Sequence, residues 1–259
     1  MGKLLFLGTG SSLGVPVIGC KCKVCQSKDP CNHRYRPSAF VTFKNKKLLL
    51  DAGPDLRDQA LKYNITSIDG LILTHIHYDH IGGLDELRAF NFISKKAVPC
   101  LLSKASKKDI VQRHYHMFHS NDECLKTSQL DLQVLEEEFG KTTFLDLPIT
   151  YVSYKQGAIP VNGYRFGNLA YLTDIKSYDE KIFSYLKGVK KLVISALKEE
   201  ESKAHLTFEE AIAFAKKIGV EVAYFTHIAH EVDHEKVSQK LPKGFEIAYD
   251  GLEIEFDDN

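Results

Sequence analysis

The six consecutive residues His75-Ile76-His77-Tyr78-Asp79-His80 carry three imidazoles and one carboxylate, a donor set that binds divalent ions. His75 and His77, on alternate positions of an extended turn, can converge on one ion, while Asp79 and His80 point toward a second. Neutral imidazole beside carboxylate suits Zn, Mn or Fe, and the carboxylate content leaves Mn open next to Zn. A second donor-rich segment, Gly19-Cys20-Lys21-Cys22-Lys23-Val24-Cys25, places three thiols within six residues. Thiolates held this close repel one another unless a cation binds them. The spacing therefore predicts a zinc site in need of a fourth ligand, with three free cysteines in a loop as the alternative.

Positioning such donors requires strands that end at them. Leu4 to Leu7 reads as a strand running into the loop Gly8-Thr9-Gly10-Ser11-Ser12. That loop is no P-loop, because no Lys-Ser/Thr ending follows it, and no helix pattern makes it a dinucleotide fingerprint. Ala39 to Phe43 and Lys47 to Leu50 predict a hairpin through Asn45 that ends at Asp51-Ala52-Gly53. A helix is expected from Pro54 to Tyr63, with Leu56, Ala60 and Leu61 as its apolar stripe. Leu71-Ile72-Leu73 is a short buried strand that delivers Thr74 and the histidine cluster, and a helix follows from Gly83 to Phe90. The second half repeats the pattern more loosely, with strands near Thr150 to Tyr154, Tyr164 to Leu172 and Lys191 to Ile194 and helices between them. Thr207-Phe208-Glu209-Glu210 is a capping box opening a helix to about Lys217. Glu221 to Phe225 is the next strand and ends at Thr226-His227. Strands interleaved with helices predict an α/β sandwich whose chemistry sits at strand ends.

Composition bounds the function classes. The 259 residues, 44% of them hydrophobic, suffice for one sizeable core, and no linker or low-complexity run interrupts them, so a single domain over residues 1–259 is expected. Lys plus Arg and Asp plus Glu both total 34, and the resulting zero formal charge argues against a general nucleic-acid binder. The apolar run after Met1 is too short for a signal peptide, and no run spans a bilayer. The expectation is a cytoplasmic protein without membrane contact, whose cysteines are thiols or metal ligands.

His-x-His-x-Asp-His after an apolar strand resembles the signature of the metallo-β-lactamase superfamily. Asp51 after the hairpin, Asp174 in Tyr171-Leu172-Thr173-Asp174, and His227 in Thr226-His227-Ile228 extend the likeness over nearly the whole chain. The resemblance implies an αβ/βα sandwich of two central β-sheets flanked by helices. It implies a dinuclear site of two divalent ions, Zn or Mn, held by His75, His77, Asp79, His80, Asp174 and His227, with Asp174 as the bridge. Asp51 would orient the metal-binding histidines, although an Asp before Ala-Gly is also ordinary turn chemistry. One position departs from the pattern: Gln156-Gly157 stands where the family places a His-Gly dipeptide. A Gln carbonyl is a weaker, uncharged ligand, which puts the occupancy of the first ion site in question.

In Thr226-His227-Ile228-Ala229-His230 the resemblance assigns the second histidine to a structural zinc, so Cys20, Cys22, Cys25 and His230 would form a Cys3His site. Such a site contributes on the order of 10 kcal/mol to folding. This cysteine site, with the ending Leu241-Pro242-Lys243-Gly244-Phe245 through Leu252, is similar to the PhnP-type phosphodiesterases, and less closely to coenzyme-synthesis proteins of the PqqB type. The implied activity is opening of a small cyclic sugar or nucleotide phosphate by metal-activated water, in which Asp79 serves the metals and His205 donates to the phosphate or leaving group. His205 also reads as a helix-capping or surface residue. The runner-up is a transfer-RNA 3′-processing nuclease, which the neutral charge disfavours; a weakened, ligand-binding PqqB-like member is a third reading. A small phosphodiester is the expected partner, and the resemblance points to a homodimer.

The remaining residues commit to less. Cys31, Cys100 and Cys124 read as buried small hydrophobes or surface thiols. His114, His116 and His119 are spaced so that one helix does not gather them on one face, which predicts a solvated helix near the active-site rim. Arg34 and Arg36 could meet an anionic substrate or simply be solvated.

Overall fold

In the computed structural model, residues 1–119 and 127–258 are described, apart from the His119 side chain; Cys124 lies outside them. The first sheet is built from β1 (Gly2–Gly8), β2 (Ser38–Phe43), β3 (Lys46–Leu50), β4 (Gly70–Ile72), β5 (Val98–Ser103) and β6 (Leu130–Leu135). The second is built from β7 (Phe139–Phe144), β8 (Leu147–Gln156), β9 (Ile159–Phe166), β10 (Leu169–Leu172), β11 (Lys191–Ser195), β12 (Val222–Thr226) and β13 (Phe245–Ile247). The last strand, β14 (Glu253–Phe256), returns to the edge of the first sheet, giving the orders β14-β1-β2-β3-β4-β5-β6 and β13-β12-β11-β10-β9-β8-β7. In each half an antiparallel meander, β1-β2-β3 or β7-β8-β9-β10, turns into parallel strands, β3-β4-β5-β6 or β10-β11-β12-β13. The looser repeat expected of the second half is therefore present as topology.

The helices are α1 (Leu56–Lys62), α2 (Tyr78–Ile81), α3 (Arg88–Ser94), α4 (Lys104–Arg113), α5 (Tyr115–His119), α6 (Ile182–Leu186), α7 (Phe208–Ile218) and α8 (His234–Ser238). Strand periodicity sorts the apolar side chains into three layers. In β1, Leu4 and Phe6 face the space between the sheets while Leu7 faces the helical layer of the first half. In β3, Leu48 and Leu50 likewise face inward and Leu49 outward. In β11, Val193 points between the sheets and Leu192 and Ile194 point to the α6–α7 side. The inter-sheet layer is rich in aromatics, with Phe43 against Phe166 at 6.5 Å and against Phe256 at 5.3 Å between ring centroids. Two sheets with covering helices thus form the four-layered α/β sandwich that the sequence led one to expect.

Several local expectations need adjustment. The hairpin turns at Lys44 and Asn45, both with positive φ, as a tight two-residue turn requires. The segment Tyr164 to Leu172 is two antiparallel strands rather than one, because Gly167 sits at φ +53 and reverses the chain. The helix expected from Gly83 begins as a 3₁₀ turn, Leu84–Leu87, and only then continues as α3. The α1 helix starts two residues after Pro54, and Leu61 of its predicted stripe is exposed. The Thr207 capping box is formed in both directions.

Phe166 is completely buried between the sheets, where no neighbouring backbone can collapse without breaking strand pairs. Phe166→Ala is expected to lower the unfolding free energy by about 3–5 kcal/mol in urea titration; a change below about 1 kcal/mol would contradict this packing.

Candidate metal centre

The donors gather because five strand ends meet at one edge of the sandwich. Asp51 follows β3, His75 follows β4, Gln156 ends β8, Asp174 follows β10 and His227 follows β12. Asp51, Asp174 and His227 all have positive φ, at 60°, 55° and 60°. Asp and His tolerate this left-handed turn better than most side chains, at about 1–2 kcal/mol each, and it swings them off the strand axis. The two halves are stitched together at this edge. The amide of Asn162 donates to Thr74 O (2.9 Å) and Tyr164 OH donates to Leu73 O (2.7 Å), while within the second half Tyr154 OH donates to Thr173 O (2.7 Å). Gly53 has no side chain because one there would collide with the Asp79 carbonyl, so the loop and α2 can close on each other.

Asp174 lies at the centre. Its Oδ2 faces His80 Nε2 at 2.8 Å and His75 Nε2 at 3.9 Å, while Oδ1 faces His227 Nε2 at 3.1 Å and His205 Nδ1 at 3.2 Å. Asp79 Oδ2 is 3.3 Å from His80 Nε2 and 3.4 Å from His227 Nε2. His77 joins through His75, with Nδ1 2.9 Å from His75 Nε2, and it is half-buried at the mouth. All six expected ligand side chains are thus in one constellation, with His205 stacked on His227 at 4.6 Å.

Asp51 is fully buried and its oxygens are engaged by the chain. Oδ1 accepts from Thr74 N (2.8 Å), and Oδ2 accepts from Thr74 Oγ1 (2.8 Å) and from His80 Nδ1 (2.7 Å). The Asp51 carboxylate holds the proton on Nδ1 and so turns Nε2 toward Asp79 and Asp174; against the effect of burial, Asp79, Asp174 and Asp51 raise the His80 pKa well above its usual value. This places Asp51 behind the ligands, not among them. Thr74 was not singled out from sequence as part of the site, yet its hydroxyl also lies 3.0 Å from His75 Nδ1. Its position between an apolar strand and a histidine run was the available signal.

Electrostatics favour a cation. Burial pushes the Asp174 carboxyl up, but the neighbouring His227 and His80 hold it well below the carboxylate range. Asp79 is likewise lifted by burial and pulled down by His80 and His227. Burial and His80 hold the His75 ring well below its usual value, so it presents a neutral lone pair. His80 Nε2, Gln156 Oε1 and His205 Nδ1 are buried without a hydrogen-bond partner. Polar atoms left unpaired beside clustered carboxylates are what a bound cation can relieve, and the His/Asp donor set fits Zn or Mn. Gln156 turns its amide nitrogen to Asp174 Oδ1 (3.2 Å) and to His205 Nε2 (2.9 Å). It therefore meets the site through these two neighbours rather than presenting its oxygen to Asp174.

The cysteine loop also closes on its expected partner. Cys20, Cys22 and Cys25 Sγ lie 3.4, 3.6 and 3.6 Å from His230 Nδ1. The Cys25 amide donates to Cys22 Sγ (3.4 Å) and pulls that thiol down to about 6, which supplies a thiolate. The cysteine loop meets the second half at His230, three residues after His227, and the earlier Gly8–Ser12 loop meets the same segment, where the amide of Ser11 donates to Ile228 O. Arg34 and Arg36 are not substrate-facing. Arg34 is buried and donates to Thr9 Oγ1 (2.7 Å) and Ala248 O (2.6 Å), and Arg36 pairs with Asp55 (2.7 Å). Cys100 is buried in the core and Cys31 partly so. No helix among the described residues is long and apolar enough to cross a membrane.

Comparison with known proteins defines the class. The model of the β-lactamase superfamily domain matches residues 46–228, and the chain belongs to that family. A solved structure described as a new diphosphatase from the PhnP family superposes with a TM-score of 0.90 at 34% identity, covering 99% of this chain and 98% of that one. The chain is accordingly a PhnP-like member with the metallo-β-lactamase fold. It is 33% identical, over 99% of its length, to an octanoyltransferase of Porphyromonas gingivalis, of which it spans about half, 52%. It is also 25% identical to a ribonuclease Z of Methanopyrus kandleri, over 96% of each chain.

Removing the carboxylate behind His80 should free that ring to rotate. Asp51→Ala is expected to weaken divalent-ion binding about 10–100-fold, measured by chelator competition; unchanged affinity would show that Asp51 does not position the ligand.

Proposed function

We propose that the chain is a metal-dependent hydrolase that cleaves a phosphorus–oxygen bond in a small phosphodiester or diphosphate. The observation that carries this reading is the Asp174 carboxylate, which has imidazole nitrogens on both oxygens and so is laid out to bridge two ions. His75 and His77 would hold the first, Asp79, His80 and His227 the second, with Cys20, Cys22, Cys25 and His230 holding a structural zinc. Ions bound there supply an acidified water and neutralise phosphoryl oxygens in an in-line displacement. The likeness to the PhnP-family diphosphatase supports phosphorus chemistry, and it widens the expected substrate from cyclic phosphates to diphosphates.

The chain's own residues prepare the site. Asp51 fixes the tautomer of His80, and Gln156 fixes that of His205 by donating to Nε2, which leaves the His205 proton on Nδ1. Burial, reinforced by His227, lowers His205 to about 4, so near pH 7 the ring is neutral. That Nδ1–H, which lies 3.2 Å from Asp174 Oδ1, would donate to a phosphoryl or leaving-group oxygen of a bound substrate.

The test is turnover of bis(p-nitrophenyl) phosphate and of a nucleoside diphosphate sugar by purified protein with added Mn or Zn. His77→Ala should abolish metal-dependent turnover, and His205→Ala should lower kcat about 10²-fold. Activity unchanged by His77→Ala would overturn the site. Cleavage of precursor transfer RNA without turnover of small substrates would replace this reading with the nuclease one.

A further inference from the structure

A third group of donors lies outside the constellation around Asp174. Asp85, His114 and His116 bring one ligand atom each to within 4.8 Å of one another, and His116 Nε2 is 3.0 Å from Asp85 Oδ1. The two histidines were expected to diverge on a single helix. Instead the helix breaks at His114, where φ is −107° and ψ 43°, and α5 starts again at Tyr115. The break is what lets residues two apart face the same carboxylate, their rings 6.1 Å apart and inclined at 51°.

We infer that Asp85, His114 and His116 form a separate divalent-ion site, of the two-histidine, one-carboxylate kind, where the α4–α5 corner meets the 3₁₀ turn after α2. Imidazole with carboxylate suits Zn, Ni or Cu, and three protein donors leave coordination positions open, so the ion is exchangeable and not sealed in. Donors on one tetrahedral ion stand ~3.4 Å apart, so modest side-chain rotation completes the site. A simple ion pair between Asp85 and His116 would leave His114 without a purpose in the cluster.

Both sides of the cluster are anchored before any ion arrives. The 3₁₀ turn carrying Asp85 is pinned by buried Ser128, whose hydroxyl donates to Leu84 O (2.8 Å) and Asp85 O (2.9 Å). On the other side Met117 is buried in the core under α5. Arg113, the last residue of α4, donates to the Ile76 carbonyl at 3.1 Å, between His75 and His77. An ion here would clamp the α4–α5 corner to the segment that follows α2 and so brace the loop that presents the histidine cluster. Pre-set scaffolds of this kind give usable metal affinity from few ligands.

The experiment uses the full chain, loaded with Zn2+, dialysed, assayed for retained metal and then titrated calorimetrically with Zn2+ alone. Wild type is expected to take up about one further equivalent, and Asp85→Asn and His116→Ala each to weaken that step at least about tenfold. Both side chains are exposed, so the variants should keep the metal content of wild type before titration. No further uptake by wild type, leaving an ion pair only, or an added equivalent that both variants bind as wild type does, would overturn the inference. The reading of the buried site is judged separately, on the metal retained after dialysis.

Discussion

Three carboxylates, Asp51, Asp79 and Asp174, are buried together at the junction of the two sheets, and the rest of the architecture answers to that charge. Removing a carboxylate from water costs several kcal/mol per ion unless partners compensate. Asp51 is compensated within the chain, by Thr74 and His80. Asp79 and Asp174 have imidazole nitrogens close by, but several of those contacts lack hydrogen-bond geometry. The same proximity that would be wasteful in a purely structural network is the arrangement a pair of divalent ions requires. A divalent cation bound among these groups would offset the buried charge.

The sandwich exists to hold that edge. Each half turns from an antiparallel meander into parallel strands, so the ends of β3 and β4 meet those of β8, β10 and β12 on one side. Left-handed residues at three of those ends rotate the donors inward, and Tyr154, Tyr164 and Asn162 lock the carbonyls around them. The cysteine loop abuts the same edge through His230, three residues after His227.

Much of this was legible in sequence because it is local. The histidine run follows its strand directly, the capping box spans four residues, and three cysteines within six residues state their own chemistry. Asp174 and His227 became readable only through family likeness, since nothing within their neighbourhoods marks them as ligands. Asp51, ambiguous on its local setting alone and read by family likeness as a ligand orienter, has its His80 contact across 29 residues, where no local pattern could show it. Tertiary context hid the rest. Arg34, left open between an anionic partner and solvent, is buried and donates to the Ala248 carbonyl, and α4 ends at His114 without a proline or glycine to mark the break. Gln156, read as a weak substitute ligand, has its amide nitrogen between Asp174 and His205 and its Oε1 buried without a partner.

The most direct test is anomalous diffraction from crystals of the chain grown with Zn. The account predicts two peaks about 3.5–4 Å apart on either side of Asp174. It also predicts one peak about 2.3 Å from the sulfurs of Cys20, Cys22 and Cys25. Density confined to the cysteine loop, with no anomalous peak within coordination distance of Asp174 at saturating metal, would contradict it.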